Sequence, residues 1–487
     1  MNSIAVKKIW WLLPIAFILL LGLTLYLEEV IFAETIFLAC LGAVGLYLVL
    51  FKKELFFSLC VLFIPLSVTT ELGGGADLAA PSELMTLVLA LVALYLGISR
   101  PMFFKKILSH PLTLLLVLDI AWMLLTALVS DIYIYSVKRV VARALFLLVF
   151  YLLAAQWMVK KENMVKFFLL YALGLIIPII VTEYNHSIYN FNPKTVFELC
   201  KPFYSEHTVY GACIAYVLPF LLILAMKARS FGFTKGMVVF SWILFIIFLA
   251  AEILSFSRAA WISLAVSLLM FIFLKLHLRF WHFILLLAGV TAIFLYYQEP
   301  LYVMARDNDN VSNRGEIGEH IMSVSNLNTD ASNMERINRW SCAMRMYHDR
   351  PYTGFGPGTY QFTYGPYQSV YEMTPISTMA GDKGNAHSEP LTYLSETGLP
   401  GFISYLLWML GSIGFGIRAY YRAKDPLVKN MALAALLGFV TFFFHGLVNS
   451  FIDQVKMASL VFGSMAMIMV ADIVTRTKQR EAKHIAD

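Results

Sequence analysis

Apolar residues in this chain fall in long, nearly unbroken runs, not in the one-sided stripes of soluble helices or the alternation of half-buried strands. Runs of about 20 such residues are what a bilayer-spanning helix needs. Fourteen segments qualify: 9–27, 30–51, 55–70, 81–98, 111–129, 140–159, 164–182, 207–226, 236–254, 259–274, 281–297, 399–417, 431–448 and 451–473. The run at 259–274 is short enough to be tilted or partly re-entrant. The pattern predicts an all-α polytopic integral membrane protein with about fourteen spans, twelve to fourteen fitting the runs.

Charge supports the count. With Lys7 and Lys8 in the cytoplasm, every second loop is cytoplasmic. Those loops and the two termini then hold 23 of the 37 Lys and Arg, and the alternation never fails, as the positive-inside rule requires. Residues 1–35 are read as membrane spans and not as a cleaved signal, because Glu28 and Glu29 follow directly and no small-x-small site appears. The expected organisation is N-terminal spans over 1–182, a periplasmic loop at 183–206, central spans over 207–297, a large periplasmic loop at 298–400, C-terminal spans over 401–473 and a basic cytoplasmic tail at 474–487.

Composition agrees: of 487 residues 60% are hydrophobic and 14% charged, against about a quarter charged in soluble domains. A water-soluble globule, a disordered chain and a disulfide-stapled secreted module are excluded. The formal charge of +6 is mostly a topology signal, so it does not argue for nucleic acid. Five cysteines show no metal-binding spacing. Cys200 and Cys342, in the two outside loops, are read as free thiols, with a bridge as the alternative.

The polar chemistry lies outside. A loop of about a hundred residues is uncommon unless functional. Within it Met334 to Tyr347 has helical spacing, with Ile337, Trp340, Ala343/Met344 and Tyr347 on one face, and Gly354-Phe355-Gly356-Pro357-Gly358 forms a tight turn. Tyr347, Tyr352, Tyr360, Tyr364, Tyr367 and Tyr371 either stack on sugars or form an interfacial belt. Lys138, Arg139 and Arg143 at an outer membrane edge, and Arg258 in Ser255-Phe256-Ser257-Arg258, suit either a lipid phosphate or headgroup snorkelling. Glu252 is placed to pair with Arg258. Asp119, mid-span, is either an ion-coupling group or a carboxyl bonded to a neighbouring helix. His387 is a candidate proton acceptor or an incidental loop histidine.

Three sequence blocks resemble the O-antigen ligase and polymerase superfamily. They are Arg336-x-x-x-Trp340, Asp349-Arg350-Pro351-Tyr352-Thr353-Gly354-Phe355-Gly356-Pro357-Gly358, and Ala386-His387-Ser388 through Glu396-Thr397-Gly398-Leu399-Pro400-Gly401. Ser257-Arg258-Ala259 resembles an upstream element of that family. Two departures are Ser388 where the family has Asn and Ala259 where it has Gly. The resemblance covers about residues 200 to 450 and implies a GT-C-like architecture. It also implies transfer of a glycan from undecaprenyl diphosphate to an acceptor hydroxyl, lipid A-core or another glycan, at the periplasmic face of the bacterial inner membrane. No cofactor or metal is required. By this resemblance His387 is the general base, and Arg258 and Arg336, with Arg339 in reserve, hold the diphosphate. His207 and Tyr210 lie at the substrate rim, where His207 alternatively only caps its helix. Lys138 and Arg139 are further rim candidates.

The resemblance implies three activities that share this donor: a ligase, a polymerase joining lipid-linked repeats, and a protein O-oligosaccharyltransferase. A flippase or other transporter is the alternative of a different class, resting on Asp119 and the many spans. Transporters of that kind usually carry internal repeats, and none is visible here.

Overall fold

The computed structural model describes residues 42–71, 77–100, 104–193, 195–277, 285, 331–374, 377–378 and 384–486. The chain divides into two compact units, Met1–Cys60 and Val61–Asp487. The described part of the first is a short apolar helix, α1 (Gly42–Phe51), and the start of α2 (Lys53–Phe63).

Among the described residues the second unit holds ten helices long and apolar enough to span a bilayer. They are α3 (Ser82–Ser99), α4 (Pro111–Leu128), α5 (Tyr133–Met158), α6 (Glu162–Ile188), α7 (His207–Phe231), α8 (Lys235–Leu254), α9 (Arg258–Lys275), α11 (Glu389–Arg422), α12 (Pro426–His445) and α13, whose apolar part is Val455–Thr477. Between α9 and α11 stands α10 (Ala331–Asp349), which is polar overall. The protein is therefore a mainly α-helical polytopic membrane protein.

Ten of the fourteen expected spans coincide with these helices. The segment 9–27, all of 281–297 except residue 285, and the beginning of 30–51 lie outside the described residues. The segment 55–70 is not a span: α2 stops after eleven residues, and the chain turns at Pro65 into an antiparallel hairpin that pairs Val68 with Ala80 and Thr70 with Leu78. Proline disfavours helix in the residue before it, and Val68, Thr69 and Thr70 are β-branched. The run 259–274, expected to be tilted or re-entrant, is one continuous helix from Arg258 to Lys275.

Helix starts follow local chemistry. Pro111 and Pro426 occupy first turns, His110 Nδ1 accepts from Leu112 N at 3.2 Å, and Asp425 Oδ1 accepts from Leu427 N at 2.9 Å. Helices α7, α12 and α13 form the buried centre, with α9 and α11 packed against α12. Helices α3 and α8 turn leucine and isoleucine outward, including Leu91, Ile98 and Ile246, as a lipid-facing surface does.

The two ends of the bundle differ in charge arrangement. At one end Asp472 binds His110, Arg418 and Arg476, and Lys161 meets Asp425 at 2.6 Å. At the other end Asp453 receives Arg139 and Arg143, each at 2.7 Å. Burial alone would raise the Asp453 carboxyl, but the two arginines hold it below the ordinary carboxylate range. Lys161, Arg418 and Arg476, from segments that the sequence alternation groups together, fall at the first end.

Candidate functional site

The site end is built by a turn that locks α10 to the spanning helices. Phe355 N donates to Ser395 O at 3.1 Å and Gly356 N to Glu396 O at 2.7 Å. The Glu396 carboxylate then accepts from Gly358 N at 2.7 Å and Tyr360 N at 3.0 Å. Gly354 (φ 62°) and Gly398 (φ 69°) make the approach possible, because a Cβ would lie 2.3 Å from the Glu396 backbone at the first and 2.3 Å from Tyr352 O at the second. The glycine-rich turn and the Glu396-Thr397-Gly398 segment are therefore one structural clasp.

That clasp carries α10, whose buried face is Glu335, Asn338, Arg339, Cys342, Ala343 and Met346; of the expected face Ala343 is buried, while Ile337, Trp340, Met344 and Tyr347 are not. The polar members are buried because each has partners. Arg339 Nε donates to Glu335 Oε1 at 2.8 Å, and Asn338 bonds Gln368 and Ser377. The hydrogen bonds and charge of Arg339, together with Ser377, hold the Glu335 carboxyl low despite burial. Tyr360 and Tyr364, expected to meet sugar or lipid, are buried and stacked at 5.2 Å, with the Arg339 guanidinium 4.3 Å from the Tyr364 ring. Only Tyr352 and Tyr371 of the six tyrosines are strongly exposed.

The face of α10 left over turns to His387. Residues four apart share a helix face, so Arg336 and Trp340 point the same way. Trp340 Nε1 donates to His387 O at 3.2 Å, and Asn385 Oδ1 accepts from His387 N at 2.8 Å. His387 is held at φ 47°, a left-handed conformation uncommon for a residue with a side chain and typical of functional positions. Burial first, then the charges of Arg336 and Arg339, push its imidazole down to about 4, against a lift from Glu335. It is neutral at ordinary pH.

Arg336 stands at the focus of a wider cluster. Its charge reaches His387, His207 and His445, and that of Arg258 reaches His207. His207 opens α7 with its ring 4.3 Å from that of Phe197, and Arg258 opens α9 after the turn in which Phe256 takes φ 49°. The N-termini of α7, α9 and α11 thus open near the arginines, and helix N-termini favour anions. His445, at the C-terminus of α12, is 2% exposed, and neither ring nitrogen has a hydrogen-bond partner among the described residues. Sequence reading passed over it because Phe442-Phe443-Phe444-His445 looks like the end of a span. A histidine closing an apolar run was the available signal.

Other candidates have other duties. Tyr210 is wholly buried and donates to Glu183 Oε1 at 3.1 Å, so it is not at the rim. Arg139 pairs with Asp453, while Lys138 is exposed. Glu252 does not pair with Arg258: it is buried, and neither carboxylate oxygen has a hydrogen-bond partner among the described residues. Asp119 accepts from Ser404 Oγ at 2.6 Å and Tyr393 OH at 3.3 Å, with Arg143 Nη1 3.9 Å away. This ties α4 to α11 and α5. Cys200 and Cys342 are free thiols. Among the described residues no group of three His, Cys, Asp or Glu is arranged to hold a metal ion.

What the cluster can do is bind a polyanion and take up a proton beside it. No curated protein matches the chain. Residues 242–406 match the family model described as O-antigen ligase, a segment that contains Arg258, Arg336, Trp340, the glycine clasp and His387. This match, over about a third of the chain, supports the O-antigen ligase superfamily.

Proposed function

We propose that the protein moves a glycan from undecaprenyl diphosphate to a hydroxyl of lipid A-core, at the periplasmic face of the bacterial inner membrane. The observation that carries this reading is the convergence of Arg258 and Arg336 on histidines at the mouths of three helices. The same reading puts the end of the bundle that bears Lys161 and Arg418 in the cytoplasm, following the positive-inside rule.

In the proposed reaction Arg258 and Arg336 pair with the diphosphate. His387 accepts the proton of the acceptor hydroxyl as its oxygen bonds to the anomeric carbon. The bond from that carbon to the diphosphate oxygen breaks, and the negative charge left on undecaprenyl diphosphate is held by the arginines, electrostatic help of the kind that often dominates catalysis. Arginine charge is also what makes His387 a weak base in the free protein. A bound diphosphate offsets that charge and raises the basicity of the imidazole when the substrate is present. Arg339, already paired with Glu335, positions α10 and adds to the field. His445, whose ring nitrogens have no hydrogen-bond partner among the described residues, offers them to the same anion or sugar.

The bonding of Asp119 to Ser404 and Tyr393 favours a structural role for it over ion coupling, and so favours transfer over transport. The test is to incubate purified protein with undecaprenyl-diphosphate glycan and, separately, lipid A-core, a second lipid-linked repeat and an acceptor peptide. Extension of lipid A-core supports the ligase reading. Extension only of the repeat or only of the peptide replaces it with the polymerase or the protein glycosyltransferase.

A further inference from the structure

A hollow lined in part by Gly358, Asn385 and Asp453 lies at the site end of the bundle. It is a cavity of about 730 Å³, and its wall includes neither Arg258, Arg336, His207 nor His387. Leu84 and Leu87 of α3 and Phe146 of α5 give it an apolar side. Leu84 is 50% and Leu87 45% exposed, so that side opens on the outer surface of the bundle. Asn385 also lines it, and its side chain links the cavity to the segment of His387 by accepting from His387 N at 2.8 Å.

The lining carries three basic groups, Lys138, Arg139 and Lys456, against three carboxylates. Its carboxylates are already engaged: Glu83 with Ala79 N, Glu396 with the glycine clasp and Asp453 with Arg139 and Arg143. Lys456, at the start of α13, is 5% exposed. It donates to Phe203 O and lies 4.0 Å from the Tyr204 ring centroid, but among the described residues no carboxylate comes within ion-pair distance. An ammonium has three donors, and buried charges are normally paired. Lys138 adds an exposed charge of the same sign at the lining.

We infer that this cavity seats the acceptor of the proposed transfer, an anionic sugar lipid of the lipid A kind. Lys456 contacts its phosphate, the α3 and α5 side takes its acyl chains, and its sugar faces Asn385 and His387. The inference rests on the glycan-transfer reading, which leaves the diphosphate of the donor to Arg258 and Arg336, outside the lining of this cavity.

The test is binding without turnover. His387→Ala protein in phosphatidylcholine nanodiscs is titrated with bis-phosphorylated lipid A, with dephosphorylated lipid A and with undecaprenyl diphosphate. Adding Lys456→Met, which replaces a buried ammonium by an apolar chain of similar length, is expected to weaken bis-phosphorylated lipid A about tenfold or more, the weight of one charge-assisted contact. Dephosphorylated lipid A and undecaprenyl diphosphate keep their affinities. A second substitution, Ala142→Phe, fills the apolar side and weakens both forms of lipid A. Failure of lipid A to bind before Lys456 is changed, an unaltered affinity after either change, or a loss that falls on undecaprenyl diphosphate overturns the assignment. Because no product is read, failure of His387 as a catalytic base leaves this result standing, and the reverse also holds.

Discussion

The indole N–H of Trp340 donates to the main-chain carbonyl of His387 at 3.2 Å, joining the loop helix to a histidine held in a left-handed conformation. Arg336 lies one turn before Trp340 on the same helix, so the four-residue spacing sets the charge and the clamp on His387 together. Trp340→Phe keeps the ring and removes the bond. It is expected to lower transfer several-fold and stability by about 1 kcal/mol, checked by initial rates and thermal unfolding of the purified protein.

Arg336 and Arg339 separate by phenotype. Arg336→Gln removes a charge proposed to act on the leaving group, and transfer should fall by about a hundredfold or more with little change in melting temperature. Arg339→Gln leaves Glu335 buried without its ion-pair partner, which costs roughly 3 kcal/mol. Its main effect is on stability, and parallel melting curves and donor titrations distinguish the two.

His445→Leu is the reverse case. A buried imidazole with no hydrogen-bond partner among the described residues contributes little or negatively to the fold, so its removal should leave stability unchanged or raised by about 1 kcal/mol. If its nitrogens meet substrate, transfer falls about tenfold or more in the same protein. Unchanged transfer would remove His445 from the site.

The pH dependence has a defined sign. With the imidazole of free His387 pushed from 6.5 down to about 4, the acid limb of kcat/KM belongs near pH 4. The limb of kcat, which reports the loaded enzyme, lies at higher pH because bound diphosphate offsets the arginine charge. The unfolded chain takes up a proton below about 6.5 that the folded site refuses until about 4, so this group's contribution to stability is present at neutral pH and is lost as pH falls through that window. Rate profiles at low and saturating donor test the first two statements.

How much was legible in the sequence follows from what each feature depends on. A 20-residue apolar run fixes a span by itself, so α7 and α8 were readable from composition. Pro65 and three β-branched residues redirected 55–70, a local signal outweighed by the apolar count. The face of α10 was misread because its core is polar, and a Glu335–Arg339 pair looks like a solvated surface until Ser377 and Tyr364 are brought to it from distant sequence. The motif residues Arg258, Arg336 and His387 were found by resemblance. His445 and Lys456 were absorbed into apparent spans, and their roles depend on contacts that no spacing encodes.

The central claim is tested most directly by the initial rate of glycan transfer from undecaprenyl diphosphate to lipid A-core by purified His387→Ala protein, at matched fold and donor occupancy. A rate reduced by about a hundredfold to ten-thousandfold, the range of a lost general base, is the expected result. Transfer at the rate of the unsubstituted protein would contradict it.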